Sequence, residues 1–150
     1  MGPARGELLL FCASRAQLVE NVIRPHLAKG GLVICDRYPQ NQIMGYNDGP
    51  MLNDFRTSPN PLFRALANLE ARIYAQAEKL QPDIVFKLVA DAVEVEKRKP
   101  GETSPERLRM KIEGIQDLKF KPSTRVYTVD ASRSLQEVLA CIKNEMWRAL

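Results

Sequence analysis

Three short apolar runs, each ending beside an aspartate, limit most strongly what this chain can fold into. They are LVICD at residues 32–36, IVFKLVA at 84–90 followed by Asp91, and RVYTVD at 125–130. β-branched residues are frequent in them and the first has no polar alternation, which is typical of buried strands in a parallel sheet. Longer segments with helical spacing lie between the runs. The order of elements therefore predicts an α/β fold, a doubly wound parallel sheet with flanking helices.

The segments between the runs carry signals for where helices begin, bend and end. Residues 7–29 predict a first helix, in which Pro25 should bend the helix or end its regular part and the two glycines at 30–31 end the helix. Asn60 is expected to cap a helix that has Pro61 at its first position. Capping-box spacing marks two further helix starts, Thr103 with Glu106 and Ser134 with Glu137. The inward faces are predicted from the apolar spacing: Leu8, Phe11, Leu18, Val22 and Ile23; Leu62, Leu66, Leu69, Ile73 and Leu80; Leu135, Val138, Leu139, Ile142 and Met146.

Length and composition narrow the class of protein. A chain of 150 residues predicts one domain with one core, and no apolar run is long enough to cross a bilayer. Cys12, Cys35 and Cys141 are expected to be small buried side chains in a reducing compartment, and a zinc site is not expected with one histidine. The net charge of +4 suits anionic ligands, but no basic–aromatic alternation suggests a nucleic-acid groove. We expect a cytoplasmic protein without a membrane or nucleic-acid partner.

Asp36 and Arg37, directly after the first run, are the strongest candidates for chemistry. An aspartate at the carboxyl end of a strand can hold Mg²⁺ or a water bound to it. The planar fork of an arginine can grip a phosphate in two places. Because parallel strands end at one edge of a sheet, Asp91 and Asp130 are expected at the same edge. The alternative is an ion pair that only stabilises the loop.

Phe11 and Arg15 form a second candidate pair. Four residues apart, they share one face of the predicted first helix. An aromatic ring and a guanidinium together can stack on a nucleobase and bond its edge. The alternative is a core phenylalanine beside a solvated arginine.

Taken together, these motifs resemble one family. LLLFCASRAQLVENVIRPHLAKGGLVICDRY, at residues 8–38, is similar to the middle of the thymidylate kinases, which phosphorylate dTMP with ATP and Mg²⁺. The resemblance implies a P-loop NTPase-like fold. It implies that Phe11 stacks on the acceptor base and Arg15 contacts the base edge. By the same resemblance Arg37 and Tyr38 bind the nucleoside monophosphate, with Arg37 on its phosphate, and Asp36 organises Mg²⁺ and the phosphates.

The resemblance extends to the rest of the chain. The charged segment 91–117 lies where these kinases carry a mobile lid, whose arginines neutralise charge on the transferring phosphoryl group. Lys97, Arg98 and Lys99 are the lid candidates, with Arg107 and Arg109 further along and Arg98 as the catalytic one. Asp130, Ala131 and Ser132 would lie by the ATP base. The partners implied are ATP and a nucleoside monophosphate, with a homodimer as one candidate assembly.

Two features depart from the family pattern. Nowhere in the 150 residues does G-x-x-x-x-G-K-[ST], the loop that cradles donor phosphates, occur. We therefore expect a chain that starts after the P-loop unit and is impaired or inactive as a kinase by itself. After Tyr38, the segment PQNQIMGYNDGPMLNDF replaces the usual serine-rich stretch. The candidates for base recognition in this segment are Gln40, Asn41, Gln42 and Tyr46. Their spacing does not indicate which base they would recognise.

Two other functions remain open from the sequence. The chain could be a non-catalytic module of the same fold that binds a nucleotide or a protein through an exposed sheet edge. It could also be a phosphotransferase of the deoxynucleoside kinase kind, which acts on an uncharged acceptor.

Overall fold

The structure is a computed structural model, and it describes residues 18–45 and 47–149. The chain divides into two compact units, Met1–Leu80 and Gln81–Leu150, and each is described by itself. Within the described residues, no helix has the length and apolar character needed to cross a membrane.

In the first unit, the described residues begin in a helix that changes its winding next to a proline. A π-helical turn, Val19–Ile23, runs directly into helix α1, Arg24–Ala28. The wider turn precedes Pro25, whose ring would clash with the carbonyl four residues back in a regular α-helix. The winding thus changes just before Pro25, the regular α-helix continues through it, and the predicted bend stays a prediction. Val19 and Ile23 are the buried residues here, so the predicted inward face was wrong for Leu18 and Val22, which are exposed.

The two glycines end helix α1 as the sequence predicted. The Gly30 amide donates to the Leu27 carbonyl at 2.9 Å and the Gly31 amide to the His26 carbonyl at 3.0 Å. This pair of bonds is the Schellman motif, and it needs the left-handed conformation that Gly30 adopts at φ +76°. The chain therefore leaves the helix in a defined direction.

The apolar run at residues 32–36 is not a strand, which corrects the prediction made from its composition. The segment has no regular secondary structure and pairs with no other strand among the described residues, and Ile34 is 79% exposed. β-branched residues favour extended backbone, but a strand exists only where a neighbour accepts and donates the ladder hydrogen bonds. The described part of the first unit offers no such neighbour.

Helix α2, Pro61–Lys79, is the main helix of the first unit. As predicted, Asn60 caps it: the Asn60 side chain accepts from the Leu62 amide at 2.9 Å. A 3₁₀ turn, Asn53–Thr57, packs on its start, with the rings of Phe55 and Phe63 5.4 Å apart. The face that α2 buries carries Ala67, Glu70, Tyr74 and Ala77.

The buried face of α2 corrects part of the predicted stripe. Leu62 and Leu69 are exposed, whereas Leu66, Ile73 and Leu80 are half-buried beside the true face. The apolar spacing predicted that leucines form the buried face of α2. The loop that covers this face instead presents backbone amides and a carbonyl, which need polar side chains as hydrogen-bond partners. The buried Glu70 and Tyr74 supply them.

The second unit is built on two parallel strands. Strand β1, Ile84–Val89, pairs with strand β2, Arg125–Asp130, with Ile84 opposite Arg125 and Val89 opposite Asp130. Both strands were predicted, and the side chains of Phe86 and Tyr127 stack at 5.4 Å on one face.

Three helices accompany this sheet: α3, Ala92–Arg98, α4, Pro105–Asp117, and α5, Leu135–Ala149. The Lys87 ammonium, on β1, donates to the carbonyls of Gln116 and Leu118 at 2.7 and 2.6 Å, which caps the carboxyl end of α4. Ser104, not Thr103, caps the start of α4, so that predicted capping box was misplaced by one residue.

Two further expectations are corrected here. Cys35 and Cys141 are exposed free thiols rather than buried side chains, and Cys12 lies outside the described residues. On α5 the buried residue is Val138, with Ile142 and Met146 half-buried, while Leu135 and Leu139 are exposed. The two-stranded sheet is too small to cover the whole apolar face of α5, so part of that face stays exposed.

The capping box at the start of α5 is confirmed and leads to a testable pH effect. The Glu137 carboxylate accepts from the Ser134 hydroxyl at 2.6 Å and the Ser134 amide at 3.0 Å, which lowers the pKa of Glu137 from its ordinary 4.5. A lowered carboxyl pKa means that this contribution to stability is present above pH 4.5 and is lost as pH falls through the folded-state pKa. We expect Ser134→Ala to move the pKa of Glu137 back toward 4.5, measured by NMR titration of the carboxyl carbon.

Asp130 is the internal control for this titration. Its pKa is lowered chiefly by the hydrogen bond from the Ser132 amide and not by Ser134. The Asp130 pKa should therefore stay where it is in Ser134→Ala. A Glu137 pKa that does not rise in the variant would contradict the assignment of the shift to the Ser134 hydroxyl.

Candidate functional site

Asp36 and Arg37 lie side by side in the first unit, in a bend directly after the apolar residues 32–35. Arg37 has φ +74°, a left-handed conformation that is strained for a residue with a side chain. Its guanidinium is 71% exposed, and its Nη1 lies 3.8 Å from Oδ2 of Asp48. Asp36 is exposed and makes no hydrogen bond or ion pair within residues 18–45 and 47–149. A free carboxylate and an exposed guanidinium thus stand at adjacent positions.

Tyr38 follows them and anchors the segment to helix α2. Its hydroxyl donates to the carbonyls of Leu80 and Ala77 at the carboxyl end of that helix. Burial raises the pKa of Tyr38, with a smaller contribution from Cys35 in the same direction, while Arg24 lowers it. The hydroxyl is committed to the helix end in this structure, so the predicted substrate contact of Tyr38 stays a prediction.

The loop after Tyr38 is organised by the side chain of Gln40. Its carbonyl oxygen accepts from the amides of Gln42 and Ile43, both at 2.7 Å, and its nitrogen donates to the carbonyls of Ile43 and Asn47 at 2.9 and 3.1 Å. Four backbone groups around one buried amide define the course of the loop. Gln40 therefore supports the loop from within and is not presented to a base, which corrects that suggestion; Tyr46 lies outside the described residues.

Helix α2 holds the second half of this loop. The buried Glu70 carboxylate accepts from the amides of Met51 and Leu52 at 3.0 and 2.8 Å. The Tyr74 hydroxyl donates to the Gly49 carbonyl at 3.1 Å. The backbone is so close at Gly49 that an added Cβ would lie 1.5 Å from the Ile43 carbonyl oxygen. Residues 39–45 and 47–52 thus belong to a loop held by several side chains, named here the α2-braced loop, and Arg37 lies just before it in the chain.

In the second unit, Asp91 and Asp130 share the carboxyl edge of the β1–β2 sheet, as predicted. Asp91 caps helix α3 through the Val93 amide at 2.7 Å, and its own amide donates to the Ser132 hydroxyl at 3.2 Å. The Asp130 carboxylate accepts from the Ser132 amide at 2.9 Å. Asp36 belongs to the other unit, and residues 32–36 pair with no strand among the described residues, so the placement of Asp36 at this edge stays a prediction.

Arg98, the predicted catalytic residue of the lid, is bound to the loop after β2. Its guanidinium donates to the carbonyls of Ala131 and Ser132 at 2.8 and 3.3 Å, and it pairs with Glu94 at 2.9 Å. The Ala131 amide in turn donates to the Val89 carbonyl at 2.8 Å. The backbone amides and carbonyls of residues 131–132 are all engaged. A base that bonds to this loop must share those carbonyls with Arg98 or displace it.

The other basic residues of the segment 91–117 have weaker ties. Nζ of Lys97 lies 4.0 Å from Oε2 of Glu94, and Nζ of Lys99 lies 3.1 Å from Oε2 of Glu102. Both ion pairs join residues of the segment 91–117. Arg107 and Arg109 are exposed and have no ion pair within the described part of the chain. Exposed pairs of this kind contribute little to stability, so these side chains are available to a ligand.

The structure therefore brings together only some of the residues predicted for the site. Asp36 and Arg37 are adjacent, whereas Phe11 and Arg15 lie outside the described residues. Sequence reasoning missed Asp48, Glu70 and Tyr74, which shape the surroundings of Arg37. A glutamate within the apolar spacing of a predicted helix was the one available signal for Glu70.

Comparison with known proteins adds the family. A model of the thymidylate kinase family matches residues 2–142 of the 150. The chain belongs to the thymidylate kinase family. No solved structure matches it.

Several curated relatives carry the name thymidylate kinase. The protein from Roseiflexus sp. (strain RS-1) is 39% identical over 106 residues, which are 67% of this chain and 41% of the relative. That from Thermosipho africanus (strain TCF52B) is 30% identical over 93% of this chain and 67% of the relative. That from Deinococcus radiodurans is 31% identical over 97% of this chain and 66% of the relative. The chain thus spans between 41% and 67% of the length of these thymidylate kinases.

The residues of this thymidylate kinase family member can be compared with the needs of Mg²⁺ and ATP, which the resemblance implied. Mg²⁺ in kinase sites takes one or two carboxylates and completes its shell with phosphate oxygens and water. The exposed, unpartnered Asp36 fits that habit. No group of three or more metal-ligating side chains occurs among the described residues, so substrate phosphates would supply most of the ligands.

Proposed function

We propose that this chain forms the acceptor side of a thymidylate kinase and binds a nucleoside monophosphate such as dTMP. The observation that carries the proposal is Arg37. Its guanidinium is 71% exposed, its backbone is held in a strained conformation, and its neighbour Tyr38 ties it to helix α2. Strain of this kind persists where the surroundings over-determine it, which is common at ligand sites. A planar guanidinium held in this way is suited to two parallel hydrogen bonds with a phosphate.

The roles of the remaining acceptor residues rest on the family resemblance. Phe11 is proposed to stack on the base, and Arg15 to bond its edge. Asp36 is proposed to orient the water shell of Mg²⁺ beside the phosphates. The α2-braced loop borders Arg37, and its sequence differs from the usual family pattern, so base preference is open to experiment.

The reaction proposed for the complete enzyme is phosphoryl transfer from ATP to the bound monophosphate. Mg²⁺ supplies charge neutralisation on the phosphates when it is bound. Of the residues present here, Lys97, Arg98 and Lys99 are proposed to carry positive charge toward the transferring group. Asp130, Ala131 and Ser132 are proposed to lie by the ATP base. We also propose a doubly wound sheet, in which β1 and β2 are neighbours, and a homodimer.

A polypeptide of these 150 residues contains no G-x-x-x-x-G-K-[ST] loop for the donor phosphates. We therefore expect it to bind dTMP, yet to turn over far more slowly than the 1–100 s⁻¹ on the order of which kinases work. Calorimetric titration with dTMP, thymidine and ATP, together with a coupled ADP-release assay with Mg²⁺, tests both statements.

Each result of these experiments separates the candidates. Binding of dTMP well above thymidine, with very slow turnover, supports the proposal. Equal binding of thymidine and dTMP would point instead to a kinase of uncharged nucleosides. Turnover at ordinary kinase rates would overturn the expectation of an impaired enzyme.

A non-catalytic module is the second candidate, and one observation favours it. Leu32, Ile34 and Cys35 are exposed in a segment without regular secondary structure, and this segment has no strand partner among the described residues. Such a segment can accept an added strand from another polypeptide. Absence of binding to both dTMP and ATP in the same titrations would favour this candidate over the kinase.

A further inference from the structure

Within residues 18–45 and 47–149, Asp48 is the one charged residue that forms an ion pair with Arg37, and no family motif suggested it. Its Oδ2 lies 3.8 Å from Nη1 of Arg37. The Asp48 side chain is only 11% exposed, whereas that of Arg37 is 71% exposed. The Asp48 side chain is therefore largely enclosed, and the Arg37 side chain is the one that reaches into solvent.

The α2-braced loop determines where this carboxylate stands. The Asp48 carbonyl accepts from the Gln40 amide at 3.4 Å, and the preceding Asn47 carbonyl accepts from the Gln40 side chain at 3.1 Å. The following residue, Gly49, is held by Tyr74 and leaves no room for a side chain. Asn47 and Asp48 both have positive φ, 51° and 60°. The backbone on each side of Asp48 is thus restrained, which defines where its Cβ stands beside Arg37.

We propose that Asp48 is a positioning residue, which orients the Arg37 guanidinium toward the phosphate of the acceptor. The ion pair with Asp48 involves Nη1 of the Arg37 guanidinium. Arg37 has no other ion pair or hydrogen bond within the described residues. The Nε and Nη2 donors are left to form the two parallel bonds that a phosphate accepts. This inference rests on the proposed function, because it assigns Asp48 a part in the same site.

Asp48 could also have the opposite effect on dTMP affinity, and the experiment must distinguish the two effects. A carboxylate close to a bound phosphate repels it, so a bystander Asp48 would weaken binding. Orientation predicts that removing the charge lowers affinity for the monophosphate, and simple repulsion predicts that it raises affinity. The sign of the change therefore decides between the two.

The experiment compares Asp48→Asn with wild type by calorimetric titration with dTMP and with thymidine. Asparagine tolerates the left-handed conformation of residue 48 at least as well as aspartate, so the loop should be preserved. We expect affinity for dTMP to fall about three- to fivefold, the scale of a partly exposed ion pair. Affinity for thymidine should not change. Asp54→Asn, at an exposed aspartate of the same unit, is the matched control and should change neither.

A double-mutant cycle adds a readout that a merely structural role would not produce. In an Arg37→Ala background, Asp48→Asn should have no further effect on dTMP affinity, because the group that Asp48 orients is gone. Unchanged or tighter dTMP binding in the single variant overturns the inference, as does an equal loss in the Arg37→Ala background. If wild type itself does not prefer dTMP to thymidine, the proposed function fails, and that result is distinct from failure of Asp48 alone.

Discussion

Glu70→Ala is expected to lower the free energy of unfolding of the first unit by about 3 kcal/mol, because a buried carboxylate that accepts two backbone amides is removed. Glu70 is 2% exposed and bonds the amides of Met51 and Leu52. In the variant these two donors lose their acceptor, and a cavity forms on the inner face of helix α2. Glu70→Gln keeps the volume and one acceptor oxygen, so its loss should be about half as large.

Urea denaturation followed by far-UV circular dichroism measures the overall loss, and amide hydrogen exchange locates it. The Met51 and Leu52 amides should lose protection first, since their acceptor is the one removed. Glu78→Ala, at an exposed position of the same helix, is the matched control. A Glu70→Ala variant as stable as this control would show that the α2-braced loop does not depend on the carboxylate.

Arg37→Ala is expected to weaken dTMP binding by about 1.5–3 kcal/mol, the contribution of charge-assisted hydrogen bonds, or roughly 10- to 150-fold. The side chain is largely solvent-exposed and bears one long ion pair, so its removal should change stability little. Thymidine affinity should be nearly unchanged, because thymidine has no phosphate. Calorimetric titration of wild type and Arg37→Ala with dTMP and with thymidine measures the change in affinity for each ligand.

The matched control for that experiment is Arg72→Ala. Arg72 is an exposed arginine on helix α2, and the variant changes the net charge by the same amount. It corrects for the general attraction of a basic protein to an anion. If Arg72→Ala and Arg37→Ala weaken the binding of dTMP equally, the phosphate of dTMP does not bind at Arg37.

Local signals in the sequence predicted local structure well. Asn60 with Pro61, Ser134 with Glu137, and the glycines at 30–31 act through bonds to residues within a few positions, so the printed sequence contains both partners. The positions of β1 and β2 were also predicted, from the apolar β-branched run within each strand, although their pairing joins distant residues such as Ile84 and Arg125. The family, too, followed from a contiguous motif, residues 8–38, and its match is confirmed.

Non-local partners were where prediction failed. Residues 32–36 have the composition of a buried strand, but no described neighbour pairs with them, and Ile34 is exposed. The inner face of α2 was assigned to Leu62 and Leu69, because apolar periodicity cannot anticipate a loop that brings two unpaired amides against the helix. Cys35 and Cys141 were expected to be buried, from the usual behaviour of the residue type, and are exposed.

By itself the sequence determined the helix ends, two strands and the family, because each depends on propensities and motifs contained in a short stretch of chain. It also pointed to Arg37 as a phosphate ligand, which awaits the binding experiments. Only the tertiary structure showed that Asp48 stands beside Arg37, and that Glu70 and Tyr74 brace the loop between them. These contacts join residues 11 to 25 positions apart, and their geometry depends on how the loop folds against helix α2.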